Sequence, residues 1–299
     1  MNEQSLIDLI KQACPSNASV LIGIDDDAAV LKPTVRETLV CTDMLMDGVH
    51  FRVKEALPSA IGHKALGVNL SDIAAMGGKA LSAYVSLAIP KDLTTDTFIQ
   101  SFYQGLTDLA RSFDVAIAGG DTNIWKGPLV VNVTVLGESH AKGPILRSGA
   151  KPGDKVFVTG PLGGSLSGHH LTFTPRLREV RELLDHYAIH SMMDISDGLA
   201  KDLREITRQS GVKVILDKSA IPIQPHIKSH KDALQKAMSD GEDFELCFTL
   251  SAEEAERLKN DSRFSYCKEI GVVAEGEDLY FSGEKTPISW QGYQHGVKR

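Results

Sequence analysis

Cysteine is scarce in this 299-residue chain: Cys14, Cys41, Cys247 and Cys267 are the whole complement, and no two form a C-x-x-C pair. That spacing offers neither a disulfide framework nor a thiolate metal site, so free thiols in a reducing compartment are expected. The ten histidines include no H-E-x-x-H pair and no Cys/His cluster, which argues against zinc. No apolar run approaches the ~20 residues of a membrane helix, and "MNEQSLIDLIKQ" is not a basic segment followed by an apolar core. A cytoplasmic location, with no membrane partner, is the expectation. Positive charge is in deficit, 32 Lys and Arg against 39 Asp and Glu, for a net charge of -7 at pH 7. A nucleic-acid partner is thereby disfavoured. The phosphate-binding loop G-x-x-x-x-G-K-[ST] is missing as well.

What is present is an ordinary globular composition, 42% hydrophobic and 24% charged, enough for one large or two ordinary domains. Helical and strand periodicities alternate. "SLIDLIKQA", Pro58 to Ala75, "TDTFIQSFYQGLTDLARSF", "DGLAKDLREITRQS" and "SAEEAERLKN" read as helices. "TLVCTDM", "ALSAYVSLAIP", "VAIAGGD", "LVVNVTVLGE", "KVFVTG", "VKVILD", "FELCFTL" and "KEIGVV" read as strands. The stretch from Gly137 to Asp154, rich in Gly, Pro and charge, reads as the passage between two halves, residues 1–140 and 141–299. The fold class is α/β or α+β.

The acids are the informative feature. "GIDDDAAVL" sets Asp25, Asp26 and Asp27 side by side; Asp72 lies in the helix-like "GVNLSDIAAMGG", and of Asp43, Asp121, Asp194 and Asp197 several stand where apolar segments give way to turns or glycine. Each has an ordinary structural reading as a solvated turn or helix cap. Two unit charges about 4 Å apart repel by roughly 4 kcal/mol at an effective dielectric near 20, so convergence would require divalent cations. Oxygen-only ligands select Mg²⁺, Mn²⁺ or Ca²⁺, and Mg²⁺ held by carboxylates commonly carries phosphates on its other side. The glycine-rich "TGPLGGSLSG" either opens toward an anion or is plain turn chemistry.

In order along the chain, "DDDAAVL", "TDMLMDGVHF", "GHKALGVNLSDIAAMGG", "AGGDTN", "LRSGAKPGD", "TPR", "SMMDISDGLAKDL" and "GEDFELCFT" resemble the thiamine-monophosphate kinases of the aminoimidazole ribonucleotide synthetase-like superfamily. The resemblance runs from about Leu6 to Tyr293. It implies ATP-dependent conversion of thiamine monophosphate to thiamine diphosphate, with several Mg²⁺ ions as cofactor. It also implies two α/β domains, the first an ATP- and Mg-binding domain that pairs with its copy in a homodimer to build a β-barrel. By resemblance Asp27, Asp43, Asp72, Asp121, Asp194 and Asp197 are metal ligands, with Thr42 and the Cys41 carbonyl beside them. Tyr103, Gly120, Asp121, Arg147 and Ser196 fall at ATP. His50, Glu242 or Asp243, and Tyr293 fall at the thiamine end, where an aromatic face and a carboxylate suit a cationic ring.

The chain departs from the family pattern at Asp25, where glycine is usual, and at Ala80, where proline is common. The segment from Gly160 to "FTPR" is shortened, and "TPR" lacks its usual preceding Arg-Pro. Another ATP-dependent synthetase of the superfamily, or a silent nucleotide-binding paralogue, are the competing readings.

Overall fold

Strand β3, Thr38–Met46, anchors the first half of the computed structural model, which describes residues 10–24 and 28–293. Before it come the short β1, Val20–Ile22, and β2, Val30–Leu31, paired antiparallel. The sequence segment "SLIDLIKQA" enters the described residues at position 10, and residues 10–13 are helical. The three-Asp run lies outside the described residues.

The chain divides into two compact units: residues 1–73, 78–143 and 171–177 form the first, residues 74–77, 144–170 and 178–299 the second. In the first, β3 joins β4 (Lys79–Pro90), β5 (Ala116–Trp125) and β6 (Val130–Glu138) in the order β3-β6-β4-β5. β6 is antiparallel to both neighbours, and β4 and β5 run parallel. Alternation is clean in β3: Val40, Thr42 and Met44 are exposed, whereas Cys41, Asp43 and Leu45 turn inward.

Helix α1, Pro58–Ala75, is apolar around most of its circumference and is correspondingly buried, with Ile61, Leu66, Leu70 and Ile73 at or below 1% exposure. Helix α2, Asp96–Ser112, starts at Thr95, whose hydroxyl accepts the Phe98 amide at 3.2 Å. The two helices approach closely at paired glycines. A Cβ on Gly62 would lie 2.0 Å from Phe102 O, and one on Gly105 would lie 1.8 Å from Ser59 O.

The second unit holds a six-stranded mixed sheet, ordered β12-β9-β11-β7-β10-β8. Its strands are β7 (Lys155–Val158), β8 (Ile189–Asp194), β9 (Lys213–Leu216), β10 (Leu246–Leu250), β11 (Lys268–Ala274) and β12 (Asp278–Phe281). Only the β9–β12 pair is parallel. Helices α3 (Leu177–His186), α4 (Leu199–Ser210), α5 (Ala233–Ser239) and α6 (Ala252–Lys259) accompany it. Leu199, Leu203 and Ile206 of α4 join Val156, Val158, Met193, Val214 and Leu279 in one core. Among the described residues no helix is long and apolar enough to cross a membrane.

Candidate active site

The acids of the second unit are organised by two loops. One leaves the end of β8 at Asp194 and carries "DISDG" to Gly198; the other precedes β10 and carries "GEDFE", Gly241 to Glu245. Backbone bonds lace them together: Ile195 N to Glu245 O at 2.8 Å, Phe244 N to Ile195 O at 2.9 Å, and Glu242 N to Ser196 O at 2.7 Å. The lacing requires unusual backbone. Gly241, Glu242 and Phe244 have φ of +73°, +60° and +50°, conformations that L residues other than glycine enter only when surroundings impose them. A Cβ on Gly241 would sit 2.8 Å from Ser196 O. Tyr293 closes the group, its amide donating to Asp197 O at 2.8 Å. The structure thus brings Asp194, Ser196, Asp197, Glu242, Asp243 and Tyr293 onto two laced loops and one adjoining segment.

Of the two acids left as alternatives, Asp243 is buried, 1% exposed, and its Oδ1 accepts the Gly163 amide at 2.9 Å. Its other oxygen has no partner, and burial foremost pushes its carboxyl well above the usual range, with nearby acids adding to this. Glu242 is half-buried. The glycine-rich loop is held by the carboxylates of Asp243 and Asp240 and by the Glu242 carbonyl. Gly164 N donates to Asp240 Oδ2 at 3.1 Å, Ser165 Oγ donates to Glu242 O, and two short 3₁₀ turns, Ser165–Ser167 and His169–Leu171, follow. Turn chemistry is therefore what "TGPLGGSLSG" performs here: the amides of Gly163 and Gly164, instead of meeting an anion, are satisfied by the protein's own acids.

Asp202 is an acid that sequence reading missed. It is 3% exposed, and its Oδ2 accepts the amides of Asp197 and Gly198, each at 3.0 Å. Burial, then the carboxylates of Asp194 and Asp197, hold its carboxyl well above the ordinary range. The signal was its spacing, four residues after the loop glycine, where a side chain reaches back over a helix start. Asp202→Ala leaves two amides unpaired and is expected to destabilise the second unit by about 2 kcal/mol; Asp202→Asn, which keeps an acceptor and removes a repelled charge, should stay within about 0.5 kcal/mol of the parent. Urea unfolding measures both, and equal destabilisation by the two variants would dismiss the role.

In the first unit Asp43 is half-buried on β3, and burial raises its carboxyl above the usual range. The neighbouring Cys41 thiol donates to Asn69 O at 3.4 Å, while Asn69, on α1 three residues before the half-buried Asp72, has a buried side-chain oxygen without a partner. Thr42 turns to the other face, sharing hydrogen bonds with Asn132 Oδ1 and Thr134 Oγ1 at 3.0 Å. Register aligns Asp43 with Val133, Val85 and Gly120, and aligns Asp121 with Ser86, Asn132 and Met44. Asp43 and Asp121 therefore occupy opposite faces and opposite edge strands, three strand spacings or about 14 Å apart. Within one chain the sheet does not bring them together. Exposed Asp121 bonds the Thr122 amide at 2.9 Å and Asn123 Nδ2 at 2.7 Å.

Tyr103, expected at ATP, is buried at 2% exposure and shares a hydrogen bond with the Thr122 side chain. Its ring is a core element here, one side chain removed from Asp121. Gly120 packs against β4, where a Cβ would meet Val85 O at 1.9 Å. Arg147 is exposed. The His50 ring accepts the Met46 amide at 3.1 Å, and its carbonyl takes the ammonium of Lys64 at 2.6 Å. Lys64, fully buried in α1, also escaped sequence reading, although a lysine within "GHKALGVNL" was the available clue.

Among the described residues no three His, Cys, Asp or Glu side chains converge as a metal-binding group, and Asp27 lies outside them. The donor chemistry fits a hard divalent cation: carboxylates desolvated without full compensation, as at Asp43, and carbonyl oxygens, with the one thiol committed to Asn69 O.

Comparison with known proteins covers both halves. Residues 25–139 match the family model of the AIR synthase related protein, N-terminal domain, and residues 151–283 match that of its C-terminal domain. The thiamine-monophosphate kinase of Rhodopirellula baltica is 40% identical over 311 residues, covering 98% of this chain and 97% of the relative. The crystal structure of the thiamine-monophosphate kinase from Stenotrophomonas maltophilia K279a superposes with a TM-score of 0.84 at 32% identity, over 96% of this chain and 98% of that one. The structure of AaThiL complexed with AMPPCP and TMP gives a TM-score of 0.78 at 30% identity, over 98% and 96% of the two chains.

Proposed function

The chain belongs to the thiamine-monophosphate kinase family, and from that membership we propose that it transfers the γ-phosphoryl group of ATP to the phosphate of thiamine monophosphate, giving ADP and thiamine diphosphate. The observation that carries the reading is the full-length likeness to kinases of this name, including one complexed with AMPPCP and TMP.

The acceptor brings its own nucleophile. A phosphate monoester has a second pKa of about 6 and is mostly ionised at pH 7, so no general base is required. What the protein must supply is in-line positioning and neutralisation of two anions. In this reading Asp27, Asp43, Asp72, Asp121, Asp194 and Asp197 hold Mg²⁺, with the Cys41 carbonyl and Thr42 beside them. Bound Mg²⁺ supplies charge neutralisation at the transferred phosphoryl group. Arg147, exposed and cationic, serves the triphosphate with Gly120 and Ser196. Buried Tyr103 acts on ATP only through Thr122 and the adjacent Asp121.

At the acceptor end Tyr293 offers an aromatic face, His50 a ring nitrogen and Glu242 a carboxylate for the cationic ring. Asp243, buried at 1% exposure with one oxygen on the Gly163 amide, serves the loop in this reading. Residues 1–140 form the ATP-binding and dimerising half, and residues 141–299 the C-terminal half. A homodimer is supported by the exposed face of the first sheet. Val40 and Met44 there are 63% and 57% exposed, and β3 and β5 are the terminal strands of the four-stranded sheet, which a second copy would extend into a barrel. The location proposed is the cytoplasm.

Metal dependence of nucleotide binding is the test. Calorimetry is expected to give ATP binding at least tenfold tighter in millimolar Mg²⁺ than in EDTA, since the acids repel a bare triphosphate. Equal affinity in the two buffers would remove the metal-mediated site.

A further inference from the structure

The last described segment, residues 288–293, lies along helix α4 and is tied to it by two side chains. Arg204 donates to the carbonyls of Ile288 and, at 2.8 Å, of Trp290. Lys201, one turn nearer the loop, donates to Tyr293 O at 2.9 Å and pairs through the same ammonium with Asp197 Oδ2 at 2.5 Å. The Tyr293 amide returns to Asp197 O at 2.8 Å. Three bonds therefore close a small circuit of Asp197, Lys201 and Tyr293. Gly292 lets the segment lie flat on it: a Cβ there would stand 2.2 Å from Asp197 O and 2.6 Å from Lys201 Cβ.

An isolated ion pair between residues four apart on a helix contributes little. This one is different in what it joins. An ammonium has three donors and can hold two acceptors in fixed relation, and here the two belong to the loop acid and to the backbone of the aromatic. Arg204 anchors the segment higher up and touches neither.

We propose that Lys201 is a positioning residue for the acceptor: it fixes Tyr293 against Asp197 and so acts chiefly at the thiamine end. The proposal rests on the kinase reading above. Lys201→Met keeps the aliphatic stem and removes the ammonium. With the full-length enzyme, it should raise KM for thiamine monophosphate about tenfold and raise KM for ATP several-fold less. Amide hydrogen exchange at Tyr293 should quicken at least tenfold. Gly292→Ala, which forces the segment off the circuit from the other side, should reproduce the same split.

Unchanged KM for thiamine monophosphate in Lys201→Met would overturn the proposal, as would an equal rise in both KM values. If the parent enzyme does not turn over thiamine monophosphate, the kinase reading fails by itself. The exchange rate at Tyr293 still decides the clamp: unchanged exchange in Lys201→Met refutes it. Should Lys201→Met fail to fold, Gly292→Ala carries the same two readouts, and the same results support or refute the clamp.

Discussion

Asp43→Asn and Asp121→Asn are each expected to lower turnover about a hundredfold, the scale of losing one major electrostatic contact in a transition state. Neither should unfold the protein. Asp43 is a half-buried carboxyl that burial alone pushes upward, so its charged form is disfavoured by the fold. Replacing it with a neutral isostere should leave the melting temperature unchanged or raise it. Asp121 is exposed, and its contacts are to the next two residues, Thr122 and Asn123. A loss of turnover with stability retained is the signature of an acid kept for chemistry. Asp25→Gly, which restores the residue usual in the family, is the control and should keep parental turnover. Steady-state assays paired with thermal melts separate these outcomes, and near-parental turnover in both asparagine variants would take Asp43 and Asp121 out of the ligand set.

The second large effect is discrimination between thiamine monophosphate and thiamine. The hydroxyl of thiamine is a poor nucleophile near neutral pH without a base. In this reading the nearby acids are committed elsewhere: Asp194 and Asp197 to Mg²⁺, Asp202 to two amides, and Asp243 to the Gly163 amide. The monophosphate arrives with an ionised oxygen, so unphosphorylated thiamine should show no turnover under conditions that saturate with its monophosphate. Transfer in one step should invert configuration at phosphorus when ATP carries a chiral γ-thiophosphate. Net retention, or a trapped phospho-aspartate, would require a phosphoenzyme instead.

Much of the fold was legible from periodicity. Pro58–Ala75 is a helix with the expected bounds, and Thr95 caps the next one. β3, β4, β6 and β11 fall where alternation or apolar runs placed them. What escaped has physical reasons. β12, Asp278–Phe281, and helix α5, Ala233–Ser239, are too short for a period to declare itself. "FELCFTL" read as a strand from its first residue, yet Phe244 has φ of +50° and Glu245 is spent on Thr159, so β10 starts only at Leu246. At the site, motif resemblance named the acids of "DISDG" and "GEDFE" but not what holds them. Asp202 reaches back four and five residues, a spacing that could have been read. Lys201 and Lys64 instead bond the carbonyls of Tyr293 and His50, 92 and 14 residues away, and such contacts leave no spacing to read. Tyr103, expected at ATP by resemblance, is buried at 2% exposure, a burial that its place in the sequence did not announce.

The most direct test of the central claim is the identity of the product. Purified enzyme, ATP, Mg²⁺ and thiamine monophosphate, followed by phosphorus-31 NMR, should yield ADP and thiamine diphosphate in equal amounts, with no reaction when thiamine replaces its monophosphate. ADP formed without thiamine diphosphate, or thiamine phosphorylated as fast as its monophosphate, would contradict the assignment.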